Sequence, residues 1–134
     1  MGLDNFPQPL PCKVMGTAIM TENGLVKCSE TKCPFKELQH VIGAMFGTDC
    51  WLRGKVYDPI VRYATDKVYT LYEPLNVEEL QSILAELTSR EDELVRKFAP
   101  EDVYALIRYF ETLLGIKEWV NYPNDEGAFL EAWF

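Results

Sequence analysis

Two groups of residues in this chain are of types that do chemistry. The first is a set of four cysteines, Cys12, Cys28, Cys33 and Cys50, all within the first 50 residues with none after. Thiolates brought together can bind one zinc ion tetrahedrally, and an even number of thiols can pair as disulfides. Buried and unbridged, the same side chains act as small hydrophobes. Only Cys28 and Cys33 are close in sequence, separated by four residues, whereas zinc knuckles place their ligands about two to four residues apart. The spacing leaves all three readings open. Disulfides would further require an oxidising compartment or a very hot intracellular one.

Cys33 has an additional property because it precedes Pro34, which fits the first position of a helix. A thiol at a helix N-terminus is favoured as the thiolate. The sole histidine, His40, falls opposite the apolar stripe Leu38, Val41, Ile42 and Met45, which argues against a Cys-His catalytic pair.

The second group is Arg53-Gly54-Lys55 with Tyr57 and Arg62, the main basic concentration in the chain. Gly54 would let an anion approach the backbone closely, and the flanking cations would hold it. The segment lacks the Gly-x4-Gly-Lys-Ser/Thr form of a nucleotide loop. Its plain structural reading is a surface turn whose cations face acidic groups elsewhere. Of the acids Glu91, Asp92 and Glu93, the first two fall in a first helical turn, where capping and the helix dipole account for them. No catalytic role is assigned to them.

These groups must be positioned by the elements around them. Pro7, Pro9 and Pro11 predict an extended surface segment over residues 1–12. Val14–Thr21 and Leu25–Cys28, around Glu22-Asn23-Gly24, predict a β-hairpin. Pro34 to Phe46 reads as an amphipathic helix stopped by Gly47, Asp58 to Thr65 as a shorter helix, and Val68 to Leu71 as a brief strand. Asn76 and Glu79 form a capping box that opens a helix, and Thr88 with Glu91 repeats the pattern, so a break is expected near Ser89. Pro100 opens the helix with the cleanest stripe, ended by Gly115. The aromatic tail Phe129, Trp133 and Phe134 is expected to dock on its own core.

The expected fold is therefore α+β and helix-dominated: an N-terminal hairpin and one short strand, packed with four to five amphipathic helices. At 134 residues, with 48% hydrophobic and 25% charged residues, the chain suits a single globular domain, 1–134. Within it, residues 1–50 carry the cysteines and residues 73–134 form an acidic helical part. Residues 1–72 hold eight Lys and Arg against seven Asp and Glu, while residues 73–134 hold five against fourteen. The overall net charge of −8 argues against nonspecific nucleic-acid binding. The start, Met1-Gly2-Leu3-Asp4-Asn5-Phe6, has neither the basic nor the apolar region of a secretion signal, and no apolar run is long enough to span a membrane. A cytoplasmic location is the expectation.

The segments Met1-Gly2-Leu3-Asp4-Asn5, Met45-Phe46-Gly47 and Arg53-Gly54-Lys55-Val56-Tyr57 resemble those of a group of small uncharacterised prokaryotic proteins, best represented among archaea. The resemblance lies chiefly before residue 75. That group has no assigned activity, so the resemblance implies no catalytic residue and no ligand. It does imply weight on Arg53, Gly54, Lys55 and Tyr57, and it counts against an obligatory metal site at the cysteines.

The sequence thus predicts a noncatalytic binding or interaction protein that uses Arg53, Gly54, Lys55 and Tyr57 to take a small anionic ligand or a protein partner. One alternative is a structural module stabilised by zinc or disulfides at Cys12, Cys28, Cys33 and Cys50. The other is an enzyme with Cys33 or Cys50 as its nucleophile.

Overall fold

A computed structural model describes residues 3–16, 22, 34–35, 50–123 and 125–133. In chain order these form strand β1 (Asp4–Gln8), helix α1 (Pro11–Met15), helix α2 (Gly54–Ala64), strand β2 (Leu75–Asn76), helix α3 (Val77–Ser89), helix α4 (Glu91–Lys97), helix α5 (Pro100–Leu114), helix α6 (Lys117–Val120) and strand β3 (Phe129–Trp133). The class is α+β with helix dominant, as the sequence predicts. Among the described residues there are six helices and one three-stranded antiparallel sheet, ordered β1-β3-β2.

The strands come from places that local pattern does not mark. Residues 4–8 do not run over the surface as expected but pair with β3, Asp4 opposite Trp133 and Gln8 opposite Phe129, with Leu3, Asn5 and Pro7 buried. Proline is tolerated here for a geometric reason. Asn5 N–H points away from β3 to Leu52, and backbone alternation puts the Pro7 nitrogen on that same side, so no β1-β3 hydrogen bond is lost. Pro11 then serves as the first residue of α1, where its missing N–H costs nothing. Within the aromatic tail, Phe129–Trp133 forms the central strand: β3 lies between β1 and β2 with Leu130 fully buried, while Trp133 remains 44% exposed.

Three further expectations change. Val14 and Met15 belong to α1, Gly16 caps its C-terminal end and Glu22 lies in a turn; the rest of the expected hairpin, and the helix expected from Pro34 to Phe46 beyond Pro34 and Phe35, lie outside the described residues. The helix expected from Asp58 begins four residues earlier, at Gly54, with Pro59 inside it. Val68 to Leu71 is a turn segment, not a strand, because side chains rather than a neighbouring strand take up the Leu71 backbone groups.

The acidic half follows its sequence signals closely. Asn76 Oδ1 accepts from Glu79 N–H at 2.9 Å and Glu79 Oε1 accepts from Asn76 N–H at 3.1 Å, completing the capping box that starts α3. Helix α3 ends at Ser89 and α4 starts at Glu91, although Thr88 does not cap α4: its hydroxyl bonds back to Leu84 and Ala85 carbonyls. Arg90 sits at the break, where its guanidinium donates to the Tyr63 and Ala64 carbonyls at 3.1 and 3.0 Å. A cation thereby caps the C-terminal end of α2, the end at which the helix dipole favours positive charge.

Helix α5 runs through the middle of the core, burying Val103, Leu106, Ile107, Tyr109, Phe110 and Leu113. Each large apolar side chain removed from water contributes on the order of 1.5 to 3 kcal/mol. The buried cluster extends from Leu3 to Leu130 and takes in Phe35, Leu52, Ile83 and Trp119. Trp119 Nε1 also donates to the Pro9 carbonyl at 2.9 Å, tying α6 to the segment after β1. Among the described residues no helix is long and apolar enough to cross a membrane.

Candidate functional site

The segment singled out in the sequence, Arg53 to Tyr57, starts α2, and the way it starts decides what it can bind. Residues 51–53 run beside β1 through one antiparallel bridge: Asn5 N–H donates to the Leu52 carbonyl at 2.9 Å and Leu52 N–H to the Asn5 carbonyl at 2.7 Å. The chain then turns into the helix. Gly54 N–H donates to Leu52 O at 2.9 Å, Lys55 N–H to Leu3 O at 3.3 Å, and the Val56 and Tyr57 N–H groups to Arg53 O at 3.0 and 3.4 Å. The amide donors that a helix N-terminus usually offers to an anion are therefore engaged by protein carbonyls. Recognition at this end rests on side chains.

Those side chains divide sharply. Gly54 is buried, and a Cβ placed on it would lie 2.8 Å from Leu3 Cγ and Cδ2 and closer still to Asn5 Oδ1. The space beside Gly54 thus holds β1 and not a ligand cleft. Tyr57 is 4% exposed. Burial pushes its hydroxyl above the usual 10.0, helped by the nearby Asp102 carboxylate and opposed by Arg53. Arg53 and Lys55 face solvent, as do Val56, Pro59 and Arg62 further along α2. The acidic residue of α2, Asp58, is buried. The solvent side of α2 is consequently cationic in a chain of net charge −8.

Asp58 holds this arrangement in place. Its Oδ1 accepts from the Leu71 N–H at 2.7 Å and from the Thr70 hydroxyl at 2.8 Å, and its Oδ2 pairs with Arg62 Nε at 2.9 Å. Asn5 Nδ2 donates to the Leu71 carbonyl at 2.7 Å. Both backbone groups of the fully buried Leu71 are thereby gripped by side chains, one from α2 and one from β1. Asn5 Nδ2 also reaches the Glu131 carbonyl at 3.4 Å, so both amide hydrogens point at carbonyls and Oδ1 must face Gly54. Among the described residues that Oδ1 finds no donor.

An aromatic group adjoins the cationic side. The bridge through Asn5 and Leu52 sets Trp51 across from Phe6, and their rings stack with centroids 4.4 Å apart. Trp133 meets Trp51 edge to face at 5.5 Å. Phe6, Glu131 and Trp133 share one sheet face by strand alternation and register.

The cysteines are placed in part. Cys12 is buried in the first turn of α1, and Cys50 is buried in the turn before Trp51, where its carbonyl accepts from the Tyr109 hydroxyl at 2.6 Å. Cys28, Cys33 and His40 lie outside the described residues. Among the described residues no group of three or more His, Cys, Asp or Glu side chains is placed to hold a metal ion.

Sequence reading assigned no role to Asn5 or Asp58, which fix the site. Asn5 stands only within the Met1–Asn5 segment of the resemblance, and its hydrogen-bond partners lie 66 and 126 residues away. Asp58 carries one weak signal, an arginine four residues later on the same helix. Comparison of the chain with protein-family models, with curated proteins and with solved structures finds no match.

Proposed function

We propose that this protein is a noncatalytic binding module that takes an acidic protein segment on the solvent side of α2, through Arg53, Lys55 and the apolar Val56. One observation carries this reading. Along α2 the exposed positions are cationic or apolar, Val56 being 43% exposed, while Asp58 is withdrawn beneath them. A cationic helix face on a protein of net charge −8 steers acidic partners to that face. The location is supported independently by rigidity. The start of α2 is fixed by the bridge to β1 and by Asp58, so Arg53 and Lys55 project from a preorganised base, which lowers the entropic cost of recognition.

The test is amide chemical-shift mapping of the 15N-labelled protein titrated with a glutamate-rich peptide at low salt. Saturable shifts confined to residues 53–63, weakening as salt is raised, agree with the reading. Shifts centred elsewhere, or none at millimolar peptide, contradict it.

A further inference from the structure

We infer that the cleft between the α2–β2 connection and α3 is a binding site for a small organic ammonium ion. After α2 the chain turns back at Asp66 and Lys67, which adopt left-handed φ angles of 51° and 66°. Asp66, Val68 and Tyr69 then form one wall, and Ser82, Ala85 and Glu86 of α3 the other, around about 440 Å³. That volume lies within the range of small-ligand sites, roughly 300 to 1,000 Å³.

The chemistry of the walls selects the ligand. They carry two carboxylates, Asp66 and Glu86, and no lysine or arginine. The Ser82 hydroxyl donates back to the Glu78 carbonyl at 3.1 Å and so turns its lone pairs outward, while buried Thr65 is engaged within its own turn, donating to the Val61 carbonyl at 2.8 Å and accepting from the Tyr69 N–H at 3.2 Å. Arg90 reaches Asp66 Oδ1 at 3.3 Å from outside the cleft, leaving the second carboxylate oxygen for another donor. Two carboxylates and the outward lone pairs of Ser82, with no lysine or arginine in the lining, fit a group that only donates, and an ammonium ion is such a group. Tyr69 supplies an aromatic wall suited to a cation, and Val68, 71% exposed at the rim, supplies apolar contact for an alkyl stem. Ala85 is the position where a larger side chain would fill the space.

Two sources share this chemistry: a free diamine and a lysine side chain of a partner. The experiment titrates the 15N-labelled protein with cadaverine, with Nα-acetyl-lysine N-methylamide, and with 1-pentanol as a neutral control of similar length. The site predicts saturable shifts at the amides of Val68, Tyr69, Ser82, Ala85 and Glu86 with one or both cations and none with the alcohol. Saturation by the lysine derivative alone assigns the site to a peptide side chain, and saturation by cadaverine alone assigns it to a free amine. Glu86→Gln should weaken binding about two- to fivefold, the range of one exposed charge pair. Ala85→Leu should abolish it while leaving the thermal midpoint nearly unchanged, since leucine follows alanine closely as a helix former. Failure of both cations to saturate, equal response to the alcohol, or full binding by folded Ala85→Leu overturns the inference.

Discussion

Asn5 Oδ1 fills the space that a side chain at Gly54 would need, so two residues 49 positions apart in the sequence are fitted to each other atom against atom. Asn5 is fixed by two donated hydrogen bonds, and Gly54 is fixed by its place at the start of a helix. Neither can yield without moving β1 or α2.

Gly54→Ala is therefore expected to destabilise the protein even though alanine is the better helix former. The added methyl would meet Asn5 and Leu3 at sub-contact distance, and overpacking of this kind costs about 1 to 3 kcal/mol. Urea denaturation of the variant measures it. A neutral or stabilising result would show that β1 is not held against the start of α2.

Asp58 and Arg62 form an ion pair at 2.9 Å, yet their substitutions should differ widely. Removing Asp58 leaves the buried Leu71 N–H without its acceptor, a loss on the order of 1 to 3 kcal/mol. Arg62 has a half-exposed side chain, and truncating it should cost about 0 to 1 kcal/mol. Chemical denaturation of Asp58→Ala and Arg62→Ala gives the comparison, and equal effects would assign the stabilisation to the pair itself rather than to the Leu71 clamp.

The Arg90 junction makes stability depend on pH in a definite direction. Hydrogen bonding from Arg90, and next from the Tyr63 hydroxyl, holds the Glu93 carboxyl below its ordinary 4.5. A depressed carboxyl favours the folded state when ionised, so its contribution is complete above 4.5 and is lost as pH falls through the lower folded value. Tyr63 moves the other way: its bond to Glu93 raises its hydroxyl above 10.0, so its contribution is present below that value and is lost as pH rises through the folded one. Thermal midpoints across pH for wild type and Glu93→Gln should converge toward acid. A constant gap down to pH 2 to 3 would contradict the assignment.

The ring contact between Trp133 at the end of β3 and Trp51 before α2 has an optical signature. Trp51 and Trp133 meet at 86° with centroids 5.5 Å apart, close enough for their indole transitions to couple. Trp133→Phe should remove an exciton feature from the circular dichroism spectrum while costing only about 0.5 to 1.5 kcal/mol. An unchanged spectrum would place the C-terminal strand elsewhere.

The parts of the fold legible in the sequence are those written in local chemistry. The capping box at Asn76 and Glu79, the break near Ser89, and the helix from Pro100 to Gly115 depend on residues within a turn or two of one another. The sheet was not legible, because β1 and β3 come from opposite ends of the chain and β2 has two residues. Leu130 and Asn5 are buried by partners that no short window contains. The start of α2 shows the same limit. Pro59 points to a helix beginning at Asp58, whereas the helix begins at Gly54 because Leu3, Leu52 and Arg53 carbonyls receive its first amides. At the candidate site, the residue types Arg53, Gly54, Lys55 and Tyr57 were visible in sequence, but their division into two exposed cations and two buried packing residues depends on contacts with β1 and α5.

That division gives the central claim its most direct test. Arg53→Ala with Lys55→Ala removes two exposed side chains that hold no part of the core, so the unfolding free energy should stay within about 0.5 kcal/mol of wild type. Affinity for a fluorescein-labelled glutamate-rich peptide, followed by anisotropy at low salt, should fall at least about tenfold, as expected for losing two charge contacts. Unchanged affinity in a fully folded double variant would contradict the account.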